Sequence, residues 1–164
     1  MDYFAYGSNI NLLQLATLLA EHGVDPDEIG HPRRAVLPHH RLRTNYYSSA
    51  HCAGACNVEP DEDHHVEGIV MAVTDSVHHC LRGKEGYPLC YEEVDVEVAT
   101  STGVVPSFIY MVTSARQLTI DLPVTPAYRR TILDGARQFR FSQSYLRQLR
   151  SLLRTIPTGV FVAE

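Results

Sequence analysis

The spacing of apolar and polar residues along the 164-residue chain first predicts a short aromatic strand that breaks into a helix. Residues 3–6 have strand character and are followed by Gly7, which can take backbone angles that a side chain forbids. Ser8 and Asn9 are both good helix N-caps, and apolar residues recur at helical spacing over residues 10–22. Free N–H groups at a helix start favour negative charge, so this turn is either a plain cap or an anion-binding loop.

The middle of the chain carries mostly strand patterns. Residues 61–63 are acidic and predict the tip of a hairpin. Gly68, in the strand that follows, indicates a bulge or a close backbone approach. Residues 93–98 alternate strictly between carboxylates and valines, which is typical of a strand with one face in water. Strand segments are predicted at residues 34–37, 42–47, 57–60, 66–74, 93–98 and 104–113, with residues 48–56 as a crossing segment.

Helices dominate the end of the chain. A short helix is predicted over residues 75–81, followed by a turn-rich segment. Thr125 followed by Pro126 predicts a helix to about residue 137. Ser142 caps a last helix, which Pro157 is expected to end. Strands in sequence, with helices gathered at the ends and no repeat or linker, predict one α+β domain over residues 1–164 with a strongly curved or closed sheet.

Composition narrows the classes of partner. The net charge of -5 comes without a basic face, so nucleic acid and an anionic membrane surface are not expected partners. No apolar run approaches the ~20 residues needed to cross a bilayer, and the first residues lack a signal-peptide pattern. The sequence therefore predicts a cytoplasmic location.

Four cysteines and several histidines raise the question of a zinc site, because thiolate and imidazole are the usual ligands of zinc. Their spacing argues against such a site. Cys52 and Cys56 are separated by three residues, but no second pair follows at finger-like spacing, and adjacent histidines on a strand point to opposite faces. Reduced thiols, solvated imidazoles and no bound metal are expected for Cys52, Cys56, Cys80, Cys90, His51, His64, His65, His78 and His79.

Glu85 is the candidate catalytic carboxylate. It lies between two glycines, with Tyr87 and Tyr91 close in sequence, and aromatic walls disfavour the charged form of a carboxyl group. Such a group suits general acid or base chemistry at neutral pH. The alternative is a surface residue that pairs loosely with Arg82 or Lys84.

An ordered set of motifs resembles the gamma-glutamylcyclotransferase, or AIG2-like, family. The opening stretch of residues 3–9, Tyr-Phe-Ala-Tyr-Gly-Ser-Asn, resembles the first motif of that family. Lys84-Glu85-Gly86, with Tyr91 after it, resembles its catalytic segment. Further similar segments lie at residues 66–70, 98–100, 108–110 and 125–128, so the resemblance extends from about residue 3 to about residue 153.

The resemblance implies a small mixed β-barrel flanked by helices, and an enzyme that cyclises a gamma-glutamyl amino acid or amide to 5-oxoproline with release of the amine. It implies Glu85 as the acid/base and no cofactor. The expected partner is a small-molecule gamma-glutamyl substrate, with a homodimer left open. The substrate-binding residues that it implies are Tyr6, Gly7, Ser8, Asn9, Tyr91, Tyr110 and Tyr128.

The chain also departs from the pattern of the family. Arg82 stands where an Asp is common, and is expected to bring an extra cation near Glu85. Glutathione-specific relatives have Leu in place of Asn9, which argues mildly against that branch.

The open alternatives are a biosynthetic enzyme that removes a gamma-glutamyl protecting group, and a member of the fold that binds a ligand without turning it over. The turn at residues 7–9 is expected to hold either the substrate α-carboxylate or the developing oxyanion.

Overall fold

The computed structural model describes residues 1–156, which contain five strands and four α-helices. In chain order these are β1 (Asp2–Ala5), α1 (Leu12–Glu21), β2 (Arg33–Ser48), β3 (Ala53–Ala72), α2 (Asp75–Glu85), β4 (Tyr91–Thr100), β5 (Gly103–Val112), α3 (Pro126–Gln138) and α4 (Gln143–Leu152).

The strands form a closed barrel in the order β1-β3-β2-β4-β5. Neighbours pair antiparallel, except that β5 pairs with β1 in parallel and closes the barrel at Tyr3 and Phe108. A buried apolar core unites side chains from strands and helices. The predicted fold class, α+β with a small mixed barrel flanked by helices, is confirmed.

Two glycines let chain segments approach closely. A Cβ at Gly68 on β3 would lie only 2.4 Å from the carbonyl oxygen of Ala5, so the close backbone approach predicted there is confirmed. A Cβ at Gly135 on α3 would lie 2.7 Å from Cγ1 of Ile10. The absence of a side chain at residue 135 therefore lets α3 pack directly against the turn that follows β1.

The hairpin predicted around residues 61–63 was wrong. β3 runs through these residues to Ala72, and the register moves from Pro38 opposite His65 to His40 opposite Pro60. Residues 61–64 therefore lie opposite one residue of β2 and form a bulge, whose polar sequence resembles that of a turn. The crossing segment predicted over residues 48–56 was also wrong in its second half, because residues 53–56 already belong to β3.

The start of α1 differs from the one predicted. Ser8 and Asn9 do not cap α1, because they belong to a short 3₁₀ turn, Ser8–Ile10. The cap of α1 is Asn11, whose side chain accepts a hydrogen bond from the Gln14 backbone N–H at 3.2 Å. This leaves the side chains of Ser8 and Asn9 available for other contacts.

The second helix is longer than predicted. Thr74 caps α2, and the helix continues past residue 81 to Glu85. It ends at Gly86, which has a φ of 64° in the left-handed region that favours glycine. Glu85 is therefore held by the last turn of a helix, rather than lying in a loose turn.

The last two helices begin as predicted. Thr125 accepts from the Tyr128 N–H at 3.1 Å, and Ser142 accepts from the Tyr145 N–H at 3.2 Å. α4 ends at Leu152, and the stop predicted at Pro157 lies outside the described residues.

Candidate active site

A hollow opens where the end of β1 meets the C-terminus of α2 and the N-terminus of α3. The space open to the centre of a water-sized sphere measures about 30 Å³, so the hollow is small and has room for a small polar group. The lining residues are Tyr3, Tyr6, Gly7, Ser8, Asn9, Cys56, Glu85, Tyr91, Tyr110 and Tyr128. All eight residues that the sequence nominated for catalysis or substrate binding thus lie around one cavity.

The Glu85 carboxylate is held on one side only. Its Oε1 accepts from Asn9 Nδ2 at 3.0 Å and from Lys84 Nζ at 3.1 Å. Within residues 1–156, Oε2 has no hydrogen-bond partner, and the side chain is 13% exposed. The carboxylate is therefore fixed in position while one oxygen stays free to take or give a proton.

Asn9 connects this carboxylate to a tyrosine. The Asn9 side chain is 5% exposed, and its Nδ2 donates both to Glu85 Oε1 and to the Tyr3 hydroxyl oxygen at 2.9 Å. An ionised carboxylate can only accept, so the amide nitrogen must be the atom that faces it. Asn9 thus acts inside the pocket instead of capping a helix.

Gly7 does not have the left-handed backbone angle that its sequence suggests. Its φ is -105°, so no left-handed conformation demands glycine. A Cβ at this position would lie 3.4 Å from Cβ of Cys56 and 3.6 Å from the Tyr128 hydroxyl, which are ordinary van der Waals distances. A side chain at residue 7 would therefore border the pocket, where the N–H groups of Ser8 and Asn9 have no partner within the described residues.

The pocket is lined by neutral phenols. Burial raises the pKa of all five tyrosine hydroxyls around the cavity, and the negative charge of Glu85 adds to the effect. These hydroxyls are protonated at neutral pH and can donate hydrogen bonds. The five are Tyr3, Tyr6, Tyr91, Tyr110 and Tyr128.

Two of these hydroxyls donate hydrogen bonds to backbone carbonyls of the barrel strands. Tyr6 donates to the backbone carbonyl of Tyr110, and Tyr91 donates to the backbone carbonyl of Cys56 at 2.9 Å. Both protons are thus committed to the protein, and the aromatic rings of Tyr6 and Tyr91 form the wall.

Two other hydroxyls are held by N–H donors. The Tyr128 oxygen accepts the backbone N–H of Cys56 at 3.0 Å, and the Tyr3 oxygen accepts from Asn9. Neither O–H proton has an oxygen or nitrogen acceptor among the hydrogen bonds of residues 1–156, although a contact with the Cys56 thiol also raises the pKa of Tyr128. Each hydroxyl oxygen is therefore positioned by an N–H group, and its proton is available to a ligand oxygen.

The expected extra cation near Glu85 is Lys84 and not Arg82. Arg82 turns away and binds Glu93 through Nε at 2.8 Å and Nη2 at 2.6 Å.

Glu93 also accepts from His78 Nε2 at 2.6 Å and from the Tyr110 hydroxyl at 2.9 Å. The Arg82 guanidinium, with His78 and Tyr110, lowers the pKa of Glu93 to about 2. The prediction that Glu93 faces water was wrong. His78 and Arg82 of α2 bind its carboxylate, and the alternating pattern of the strand gives no sign of these contacts with a helix.

Cys56 is the thiol in the pocket wall. Burial raises its pKa to about 12, so it is protonated and a poor nucleophile at neutral pH. Within the described residues, no group of three or more His, Cys, Asp or Glu side chains is placed to hold a metal ion.

The sequence did not nominate Tyr3 or Cys56, which line the cavity, or Lys84, which contacts Glu85 without lining the cavity. Tyr3 belongs to the same aromatic motif as Tyr6, and Lys84 immediately precedes Glu85, so both carried a usable signal. Cys56 is distant in sequence from those motifs, and only the pairing of the barrel strands brings it to the pocket.

Comparison with known proteins places this architecture in a class. A solved structure of a gamma-glutamyl cyclotransferase superposes with a TM-score of 0.82 at 22% identity, covering 97% of this chain and 91% of the other. An uncharacterised protein from Homo sapiens superposes with a TM-score of 0.81 at 22% identity, with coverage of 96% and 90%. A glutathione-specific cyclotransferase from yeast has a TM-score of 0.68 at 14% identity, with coverage of 93% and 95%. The fold is therefore that of the gamma-glutamyl cyclotransferases.

The sequence agrees with this class. The profile of the AIG2-like family matches residues 65–149, and the chain belongs to that family. No curated protein matches it by sequence. No helix within residues 1–156 is long and apolar enough to cross a membrane. Family and fold together support a gamma-glutamylcyclotransferase-like activity.

Proposed function

We propose that this protein is a gamma-glutamylcyclotransferase that converts a gamma-glutamyl amino acid or amide to 5-oxoproline and a free amine, with Glu85 as the general acid and base. The observation that carries the proposal is the Glu85 carboxylate, which has one oxygen fixed by Asn9 and Lys84 and the other free at a pocket of neutral phenols. This arrangement suits a group that must change its protonation state twice in one cycle.

The substrate supplies its own nucleophile. Glu85 takes a proton from the substrate α-ammonium, and the amine then attacks the gamma-carbonyl carbon to form the new C–N bond of a five-membered ring. Holding one bent conformer of the substrate makes this step effectively unimolecular. When the tetrahedral intermediate collapses, the original amide C–N bond breaks and Glu85 returns its proton to the leaving amine. The new ring nitrogen also gives up its second proton, which the released amine takes to leave as an ammonium ion. The reaction consumes no water and needs no cofactor.

The protein contributes hydrogen-bond donors for the negative oxygen that forms on the gamma-carbon. The free O–H groups of Tyr128 and Tyr3 are suited to this role, because each is oriented by an N–H donor before substrate arrives. In the proposal, the turn formed by Gly7, Ser8 and Asn9 offers its backbone N–H groups to the substrate. Cys56, with a pKa of about 12, is not required as a nucleophile.

The test is direct measurement of 5-oxoproline with purified protein and a panel of gamma-glutamyl amino acids, gamma-glutamyl amines and glutathione. At least one substrate should give 5-oxoproline and amine in equal amounts, and the panel identifies the amine that the enzyme prefers. Substrate that binds without forming product would instead indicate a ligand-binding protein of the same fold. No binding and no product across the panel would contradict the proposal.

A further inference from the structure

A second hollow lies between α4 and the bulged part of β3. The space open to the centre of a water-sized sphere measures about 260 Å³ there, against about 30 Å³ in the candidate active site. Within the described residues, no side chain lines both hollows, so the second one is separate from the pocket at Glu85. Its lining residues are Arg41, Leu42, His64, His65, Tyr145, Gln148, Leu149 and Leu152.

The bulge in β3 brings two adjacent histidines to this hollow. Adjacent residues of a regular strand point to opposite faces, yet His64 and His65 both line the hollow. Residues 61–64 lie opposite His39 of β2, whose φ of 55° is in the left-handed region that residues with a side chain seldom adopt. Bulges re-aim side chains in this way and are over-represented beside functional sites.

The inner part of the hollow is apolar and has a flat aromatic surface. Leu42, Tyr145 and Leu149 are at most 8% exposed and form its inner wall. The His65 ring lies nearly parallel to the Tyr145 ring, with centroids 6.2 Å apart and 25° between the planes. Aromatic rings stack favourably on such surfaces, so the shape of the hollow fits a planar aromatic ligand.

The charged groups at the rim already have partners, whereas one amide does not. Arg41 lies 3.6 Å from both Glu59 and Asp61. His64 Nδ1 lies 2.7 Å from Asp61 Oδ1. The exposed Gln148 side chain has no hydrogen-bond partner within residues 1–156, so its amide offers a donor and an acceptor. The rim therefore suits an uncharged ligand that presents one donor and one acceptor side by side.

We propose that this hollow is a second ligand site, which binds a small uncharged 6-aminopurine such as adenine. Adenine is planar and uncharged at neutral pH, and its N6 amino group and N7 atom form the pair that a glutamine amide recognises. The purine ring stacks on the aromatic surface of His65 and Tyr145, and Gln148 binds its edge. This site is independent of the reaction at Glu85.

An NMR titration of the full chain with adenine measures the affinity. A ligand of this size, held by stacking and one amide, should bind with a Kd of about 0.1–1 mM. Purine lacks the amino group and should bind about fivefold more weakly. Benzoate is flat but charged and should bind more than about tenfold more weakly. The inference is overturned if adenine does not bind, or if benzoate binds as tightly as adenine.

Two variants test the assigned contacts. His65→Ala removes part of the stacking surface and Gln148→Ala removes the edge contact, so each should weaken adenine binding by about 3- to 10-fold. The matched controls are His31→Ala and Gln143→Ala, which remove exposed side chains of the same two types outside the hollow. Both controls should keep the Kd within about twofold of wild type. Equal losses in controls and test variants would contradict the site.

Glu85→Gln distinguishes this hollow from the candidate active site, which is also lined by aromatic rings. It should leave the Kd for adenine unchanged. Weaker adenine binding in Glu85→Gln, together with unchanged binding in His65→Ala, would place the ligand in the other cavity and overturn the inference. The proposed function is tested separately, because its failure appears as absence of 5-oxoproline and not as a change in adenine binding.

Discussion

Glu85 and Glu93 lie eight positions apart in the sequence and have opposite environments. Glu93 uses both oxygens, which receive hydrogen bonds from His78, Arg82 and Tyr110. Glu85 uses one oxygen, and within the described residues the other has no partner. A carboxylate surrounded by donors is locked in its charged form and serves the structure, whereas one with a free oxygen can exchange a proton with a ligand.

The two carboxylates are linked through one tyrosine. Tyr110 lines the pocket together with Glu85, and its hydroxyl donates to Glu93, which is not among the residues that line this pocket. Glu93 therefore positions a residue of the site without lining it. Changes at the two glutamates should separate chemistry from stability, and the predictions below use that separation.

Among changes that leave Glu85 itself in place, the largest effect is expected when a second negative charge is placed beside it. Asn9→Asp keeps the side-chain shape but replaces the Nδ2 donor, 3.0 Å from Glu85 Oε1, with an acceptor. Two carboxylates at that distance compete for one proton. We expect kcat/KM for 5-oxoproline formation to fall by about 10²-fold or more, a typical range for disturbed acid–base catalysis.

Asn11→Asp is the control for this change. It adds the same charge two residues away, at the cap of α1, where a carboxylate can still accept from Gln14. Its activity should stay within about tenfold of wild type, since Asn11 makes no contact with the pocket. Equal losses in both variants would mean that negative charge in general, and not competition with Glu85, causes the effect.

The second effect concerns stability. Glu93→Gln keeps the size of the side chain but presents an NH₂ group to the donors of Arg82 and His78. We expect the free energy of unfolding in urea at pH 7 to fall by about 1–2 kcal/mol, a discounted value because the side chain is partly exposed. Glu92→Gln, at an exposed neighbouring position, should change it by less than about 0.5 kcal/mol.

The same variant gives a pH test with a definite sign. The folded-state pKa of Glu93 is lowered to about 2 from its usual value of 4.5. Its contribution is therefore fully present above about pH 5 and is lost as the pH falls through 4.5 towards 2. The difference in unfolding free energy between wild type and Glu93→Gln should shrink over that range. A difference that stays constant down to pH 2 would contradict the assigned contacts.

The smallest effect is expected at the phenol side of the pocket. Tyr128→Phe removes an O–H donor to the cavity and the acceptor of the Cys56 N–H. We expect kcat/KM to fall by about 10-fold, with about 1 kcal/mol lost from the free energy of unfolding. Tyr47→Phe, at an exposed tyrosine on β2, should alter neither quantity measurably. Unchanged kinetics in Tyr128→Phe would remove this hydroxyl from the site.

The strands and most helices follow patterns that can be read locally. Alternation over residues 93–98 predicted β4, and the pairs at Thr125 and Ser142 predicted the starts of α3 and α4. The bulge at residues 61–64 was not predictable in this way, because its polar residues satisfy the criteria for a turn equally well. Only the pairing with β2 decides between the two.

The residues of the candidate site could be nominated from sequence in part, but the directions of their side chains could not. The aromatic motif at the start of the chain and Glu85 were nominated from sequence, with the family resemblance supplying their roles. The direction of each side chain was not predictable, since it depends on contacts between distant segments. Arg82 turns to β4 while Lys84 turns to Ser8, although both belong to the same helix end.

The most direct test of the central claim compares Glu85→Gln and Glu93→Gln in one assay of 5-oxoproline release on the best substrate of wild type. The account predicts that Glu85→Gln loses about 10²- to 10⁴-fold in kcat while it still binds substrate, and that Glu93→Gln keeps kcat within about tenfold of wild type. Release of 5-oxoproline by Glu85→Gln at the wild-type rate would contradict it.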